Sequence, residues 1–137
     1  MSENKKRSDC PVSQSLDIWG DKWSLLIVRD LMFAGQCTYG DFQKSEEKIA
    51  SNILASRLQM LEDNGIIIKG SHPESKVKFL YKLTAKGIDL LPLMIEINMW
   101  AEKYCDISSE RKELLQEVKK DKEVFIVRLS KKLKSLM

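Results

Sequence analysis

Between residues 51 and 65 the chain reads SNILASRLQMLEDNG, and four of its side chains, Asn52, Ser56, Gln59 and Asp63, are suited to recognition chemistry. On a helical repeat they gather on one stripe, opposite Leu54, Leu58 and Leu61 with Ile53 beside them. A solvated stripe normally favours Lys and Glu. Short hydroxyls and carboxamides instead hydrogen-bond whatever lies against them, and an Asn or Gln amide can make paired hydrogen bonds to an adenine edge. The same stripe is equally compatible with a plain polar surface, so the surrounding elements must decide. Arg57, the one cation of this helix, falls at the edge of the apolar stripe. A guanidinium there pairs with a carboxylate more readily than with a base, and Glu62 and Asp41 are the candidate partners.

Catalysis has little raw material. The chain has three widely spaced cysteines, Cys10, Cys37 and Cys105, and His72 is its only histidine. That is neither a disulfide framework nor a zinc pattern, and it excludes a His-based triad or His-rich metal site within one chain. No phosphate-cradling glycine loop or nucleophile elbow occurs. A thiol enzyme built on Cys10 would have only His72 as a base. The chain therefore reads as a non-enzyme with no cofactor.

The 137 residues carry 43% hydrophobic and 31% charged side chains with a net charge of +3, a globular composition that permits a polyanion partner without demanding one. No apolar run follows the basic residues of MSENKKRSDCP, and LLPLMI is far too short to span a bilayer, so a cytoplasmic address is expected.

The elements that position the stripe follow from punctuation and period. Pro11 opens a short helix, PVSQSLDIWG, closed by Gly20. A nearly all-apolar helix follows to Gly35, in which only Ser24, Arg29 and Asp30 interrupt the apolar run from Trp23 to Phe33. Thr38 is a good N-cap for a short helix with Phe42 facing inward. Ser51 begins the polar-striped helix, and Gly65 closes it as a left-handed cap. The period then switches to that of a β-hairpin, IIIKGSHPESKVKFLYKLT. Thr84 caps a long helix in which Pro92 predicts a kink. Apolar residues run nearly all round this helix, more than one small domain can cover, so a partner chain is expected.

Past residue 107, an interrupted apolar stripe (Leu115, Val118, Phe125, Leu129, Leu133, Leu136) predicts a further helical stretch that Asp121 can divide, with Lys122 in one apolar slot. Its nine Lys/Arg against four Asp/Glu over 111–134 read as a solvated face on an oligomerising helix rather than as a polyanion site.

A short helix, a turn and a helix with a hydrogen-bonding face make a helix-turn-helix, and a hairpin directly after it is a wing. The fold class expected is mainly α with a small β-hairpin. Charge agrees: from residue 66 to 88 there are five lysines (Lys69, Lys76, Lys78, Lys82, Lys86) against Glu74 alone. Asn52, Ala55, Ser56 and Gln59 are then the candidate base contacts. Thr38, Ser51, Lys76, Lys78 and His72 are the candidate backbone contacts, although His72 also reads as an exposed turn residue. A winged helix that acts only as a protein adaptor is the rival, and exposed aromatics on the reading face would mark it.

The segments CPVSQSLDIWGDKWSLLIVRDLMFAG, TYGDFQKS, IASNILASRLQMLEDNGII and YKLTAKGIDLLPLM together resemble the HxlR family of bacterial transcriptional regulators. The resemblance covers roughly residues 9 to 104. It implies a homodimeric winged-helix protein that binds double-stranded operator DNA, with the first and long helices building the dimer around Leu16, Trp19, Leu91, Ile95 and Trp100. The expected organisation is a flexible arm (1–9), a DNA-binding and dimerisation domain (10–104) and a C-terminal helical extension (105–137). The chain departs from the family in having Cys37 where a basic residue is common, and small side chains at Asn52, Ala55 and Ser56. It names no inducer and no operator sequence.

Cys10 stands directly before Pro11 at a helix entrance, where unpaired amides favour a thiolate, with Lys5, Lys6 and Arg7 nearby. Some relatives sense oxidants or electrophiles through a cysteine at the matching position, so Cys10 is a candidate redox sensor; the alternative is a small residue beside the dimer interface. Cys37 and Cys105 read as packing residues.

Overall fold

Leu54, Leu58 and Leu61 are each no more than 3% exposed, and they seat the polar-striped helix on the core as its apolar period requires. The computed structural model describes residues 6–137, so most of the expected arm, including Lys5, lies outside the described residues. The order of elements is α1 (Pro11–Trp19), α2 (Ser24–Ala34), β1 (Gln36–Cys37), α3 (Tyr39–Gln43), α4 (Ser51–Asp63), β2 (Ile67–His72), β3 (Ser75–Leu83), α5 (Ala85–Ile88), α6 (Leu91–Tyr104), α7 (Ser109–Lys120) and α8 (Lys122–Lys134).

Local chemistry accounts for most boundaries. Pro11 occupies the first turn of α1, and the Gly20 N–H closes that helix on the Leu16 carbonyl. Asp21 starts α2, its Oδ1 accepting from the N–H groups of Trp23 and Ser24 at 2.9 and 3.0 Å and its Oδ2 from the Ser24 hydroxyl at 2.5 Å. Ser24 is thereby fully buried yet satisfied. Gly35 and Gly65 end α2 and α4 with φ of 83° and 73°, the left-handed region a side chain avoids. In the last turn of α2, Phe33 is exposed rather than buried, so that helix is less enclosed than its sequence predicts.

Two differences from the sequence-based expectation concern the sheet and the long helix. The hairpin is joined by a third strand: β1 pairs antiparallel with β3 (Gln36 opposite Lys82, Cys37 opposite Tyr81), giving the order β1-β3-β2. A two-residue strand has no period to detect. The long helix is not kinked at Pro92 but divided. Thr84 caps the short α5, and α6 starts afresh with Pro92 in its first turn, where the missing N–H is harmless.

The C-terminal stretch divides at Asp121, which ends α7 and N-caps α8 through the Val124 amide. Both helices fold back on α6, and α8 also on α5. Val118 and Leu133 join the same apolar cluster as Leu91, Met94 and Ile95. Leu91 and Ile95 were expected to await a partner, but they are 2% and 5% exposed within the single chain. The chain's own extension supplies much of the cover that an isolated α6 would lack. Lys122, in its apolar slot, reaches Glu96 at 2.5 Å.

Candidate nucleic-acid interface

The two helices of the helix-turn-helix are joined by specific hydrogen bonds. Thr38 and Asp41 form a capping box on α3: the Thr38 hydroxyl accepts from the Asp41 amide at 3.2 Å, and Asp41 Oδ2 accepts from the Thr38 amide at 2.8 Å. The Thr38 amide bond comes first among the causes that hold the Asp41 carboxyl below its ordinary range. The Tyr39 hydroxyl donates to the Ser51 carbonyl at 2.6 Å and lies 2.8 Å from Ser51 Oγ, so the first residue of α4 hangs on α3. The cap position of α4 is Ala50, and no side chain caps it.

The turn between these helices is held from below by α2. Arg29 forks onto Glu47, Nη1 to Oε2 at 2.7 Å and Nη2 to Oε1 at 2.9 Å, and also reaches Asp30 at 2.9 Å. Ser45 donates to the other Asp30 oxygen at 2.5 Å. The Arg29 hydrogen bonds hold the Glu47 carboxyl down at about 2, against a smaller opposing effect of burial. Lys48 in the same turn has a φ of 54°, a conformation costing a non-glycine residue about 1–2 kcal/mol, and these anchors hold it there.

Farther along α4, Arg57 Nε lies 3.0 Å from Asp21 Oδ1. Arg57 is thus a structural cation, as its position predicts, but its partner is neither Glu62 nor Asp41. Asp21 is 36 residues away in the chain, a separation that helical spacing within α4 does not reveal. Asp21, Arg29 and Glu47 are the residues that sequence reasoning missed. Asp21 carried a signal, an acidic residue three before a helical serine; the Arg29–Glu47 fork carried none.

Asn52, Ala55, Ser56 and Gln59 are all exposed. Gln59 Nε2 donates to Asp63 one turn on at 2.8 Å, and Ser56 Oγ accepts from Arg57 at 3.4 Å. Among the described residues none of the four makes a side-chain hydrogen bond outside α4.

Of the five lysines between residues 66 and 88, three are engaged within the chain. Lys69 lies 4.7 Å over the Phe79 ring, Lys82 donates to the Leu136 carbonyl at 2.7 Å, and Lys86 to the Asn64 carbonyl at 2.7 Å. Lys76 and Lys78 are exposed, and among the described residues neither is in an ion pair. His72 closes the hairpin, its Nδ1 accepting the Glu74 amide at 3.0 Å beside a register irregularity at Ser71/His72.

Cys10 is exposed at the N-cap of α1. Two of the cations expected to surround it are already engaged, Lys6 with Asp9 at 3.4 Å and Arg7 with Asp17 at 2.8 Å. Cys37 is buried, and burial pushes its thiol up to about 12. Cys105, expected to be a packing residue, is instead exposed, at the extended cap position just past the end of α6. Of the expected dimer residues, Leu16 (44%) and Trp100 (63%) are open, Trp19 is half-buried, and Leu91 and Ile95 are covered. Val12, Ile97 and Tyr104 extend the open apolar surface of α1 and α6. Among the described residues no group of His, Cys, Asp and Glu could hold a metal ion, and no helix is long and apolar enough to cross a membrane.

Residues 18–109 match the HxlR-like helix-turn-helix family. The chain is 34% identical over 98 residues to the HTH-type transcriptional regulator YodB of Bacillus subtilis, an alignment covering 71% of this chain and 87% of YodB. Among solved structures, it is similar to PA1607 (TM-score 0.67, 43% identical, covering 76% of this chain and 71% of that one). It is also similar to the oxidised form of the redox regulator HypR (TM-score 0.64, 28% identical, 72% and 100%).

Proposed function

This chain belongs to the HxlR-like helix-turn-helix family of transcriptional regulators, and from that premise we propose that it binds an inverted-repeat operator as a homodimer. The observation that carries the reading is the outer face of α4. Asn52, Ala55, Ser56 and Gln59 project together with no tertiary duty, while Asp21 and the Tyr39–Ser51 bonds fix the helix behind them. Asn52, Ser56 and Gln59 read base edges in the major groove, and Ala55 offers a methyl to a thymine. Thr38 and Ser51, beside the start of the reading helix, and Lys76, Lys78 and His72 on the wing meet phosphates and fix the register.

The partner docks on the open apolar surface of α1 and α6, through Leu16, Trp100 and the exposed edge of Trp19. Two copies so joined present their α4 helices to successive major grooves about 34 Å apart. The binding is modulated by oxidants or electrophiles at Cys10. Support comes from its exposure and from relatives: HypR is described as a redox regulator, and YodB has been solved reduced, diamide-treated and quinone-bound.

The test is binding of the purified chain to its own upstream DNA at two salt concentrations, with sedimentation run in parallel. A dimer that prefers this duplex to a scrambled one at both salts is expected. A monomer at micromolar concentration, or equal binding to both duplexes, overturns the reading. Leu16→Glu and Trp100→Glu should each give monomers that bind half as many half-sites.

A further inference from the structure

The family match ends at residue 109, so nearly all of α7 and α8 is an addition to the shared module. Charge in this addition is largely sorted by position, with Lys112 on α7 the one bare cation outside α8 among the described residues. Arg111, Lys119, Lys120 and Lys122 are paired with Glu46, Glu102, Glu117 and Glu96. Arg128, Lys131, Lys132 and Lys134, in the second half of α8, are all exposed, and among the described residues none is in an ion pair. The negative end of a helix dipole favours cations in its last turn, but Arg128 lies before that turn.

The place where this bare end sits gives it meaning. The Leu136 carbonyl accepts from Lys82 on β3 at 2.7 Å, and the Leu136 side chain occupies the space a Cβ on Gly35 would need, 2.6 Å from it. Gly35 leads through Gln36 and Cys37 to Thr38, three residues of chain, about 10 Å when extended. The C-terminal end of α8, and with it this exposed run of cations, therefore lies beside the strand that carries the wing lysines and close to the segment that opens α3. In the DNA-binding reading these neighbours include Thr38, at the start of α3, and Lys76 and Lys78 on β3, the residues given to the phosphate backbone.

We propose that the basic end of α8 is an additional phosphate-binding surface, which holds duplex DNA flanking the operator. The proposal rests on the DNA-binding reading above. It makes the extension a source of sequence-independent affinity: each lysine that neutralises a phosphate releases counterions and steepens the salt dependence by about 0.9 in log K against log salt.

The experiment uses the full chain and its Lys131→Gln/Lys132→Gln/Lys134→Gln variant. Each is titrated over a range of salt with a duplex of operator length and with one carrying native flanks on both sides. The wild type should bind the flanked duplex more tightly and with a steeper slope. The variant should lose most of that difference, weaken equally on operator and scrambled sequence, and keep the wild-type melting temperature. The corresponding triple Lys→Arg variant should keep the slope. An unchanged slope on the flanked duplex in the Gln variant overturns this proposal alone. A wild type that binds no duplex overturns both this proposal and the function it rests on.

Discussion

Arg57 Nε lies 3.0 Å from Asp21 Oδ1, and this pair ties the start of α2 to the middle of α4. Asp21 also accepts from two backbone amides and the Ser24 hydroxyl, so one carboxylate both caps a core helix and steadies the reading helix. Asp21→Ala should cost about 1.5–5 kcal/mol, the sum of a lost cap and a stranded, buried Ser24 hydroxyl. Arg57→Met, which removes only a partly exposed pair, should cost about 0.2–1 kcal/mol. Urea unfolding of both variants measures the ranking; equal losses would show that the cap is not the main role of Asp21.

The Arg29–Glu47 fork gives the turn of the helix-turn-helix a pH dependence. Glu47 titrates lower in the folded chain, at about 2, than in the unfolded one. A depressed carboxylate contributes stability that is complete above its unfolded pKa of about 4.3 and is lost as pH falls toward 2. Asp21, raised by burial but pulled down further by Ser24, by the two amides and by Arg57, acts in the same direction. Glu47→Gln should therefore be less stable than wild type at pH 7, with the gap closing in acid. A gap that is constant from pH 7 to 3 would count against the fork.

Gln59 is the residue through which readout is best tested. Its amide is held by Asp63, which fixes its rotamer while leaving the carbonyl oxygen and one N–H for a base. Gln59→Ala should relax preference at one base pair per half-site, a loss of about 1–3 kcal/mol in discrimination. Binding to a library of operators substituted at each position would show it. Uniform weakening with intact preference assigns Gln59 to positioning instead.

Lys76 and Lys78 should act without regard to sequence. The double Lys→Ala variant should lower the slope of log K against log salt by about 0.9 for each phosphate that is no longer neutralised. Removal of Lys69 should do less, because that ammonium already lies over Phe79. If the slope of the double variant matches wild type, the wing is not at the backbone.

For Cys10 the comparison is operator binding by wild type and Cys10→Ser, each with and without diamide. Diamide should change the affinity of the wild type and leave the variant unaffected. Equal responses would remove Cys10 from the mechanism. Cys105→Ser is the necessary companion, since that thiol is also exposed.

The parts legible in the sequence are those set by local rules. The Thr38 cap, the left-handed glycines, the leucine stripe of α4 and the break at Asp121 depend on neighbours within a few residues, and all stand where spacing puts them. What escaped reading depends on pairs far apart in the chain. β1 exists only because β3 lies beside it, Asp21 finds Arg57 across the core, and Leu91 and Ile95 are covered by helices beginning more than ten residues later. Pro92 illustrates an intermediate case. The residue announces an interruption, but whether the helix bends or starts again is decided by Thr84 and the short α5 before it.

In α4, Leu54, Leu58, Leu61 and Arg57 hold the helix in place, while Asn52, Ala55, Ser56 and Gln59 bear none of that burden. Substitutions at exposed sites without tertiary partners typically shift stability by less than about 0.5 kcal/mol. Such a helix separates two kinds of selection. On the proposed reading, in which the four outward positions meet the bases, target preference can change one position at a time without passing through an unfolded ancestor. The same division makes α4 a practical graft site, where an outward set from another regulator could be installed while the inward set is left alone.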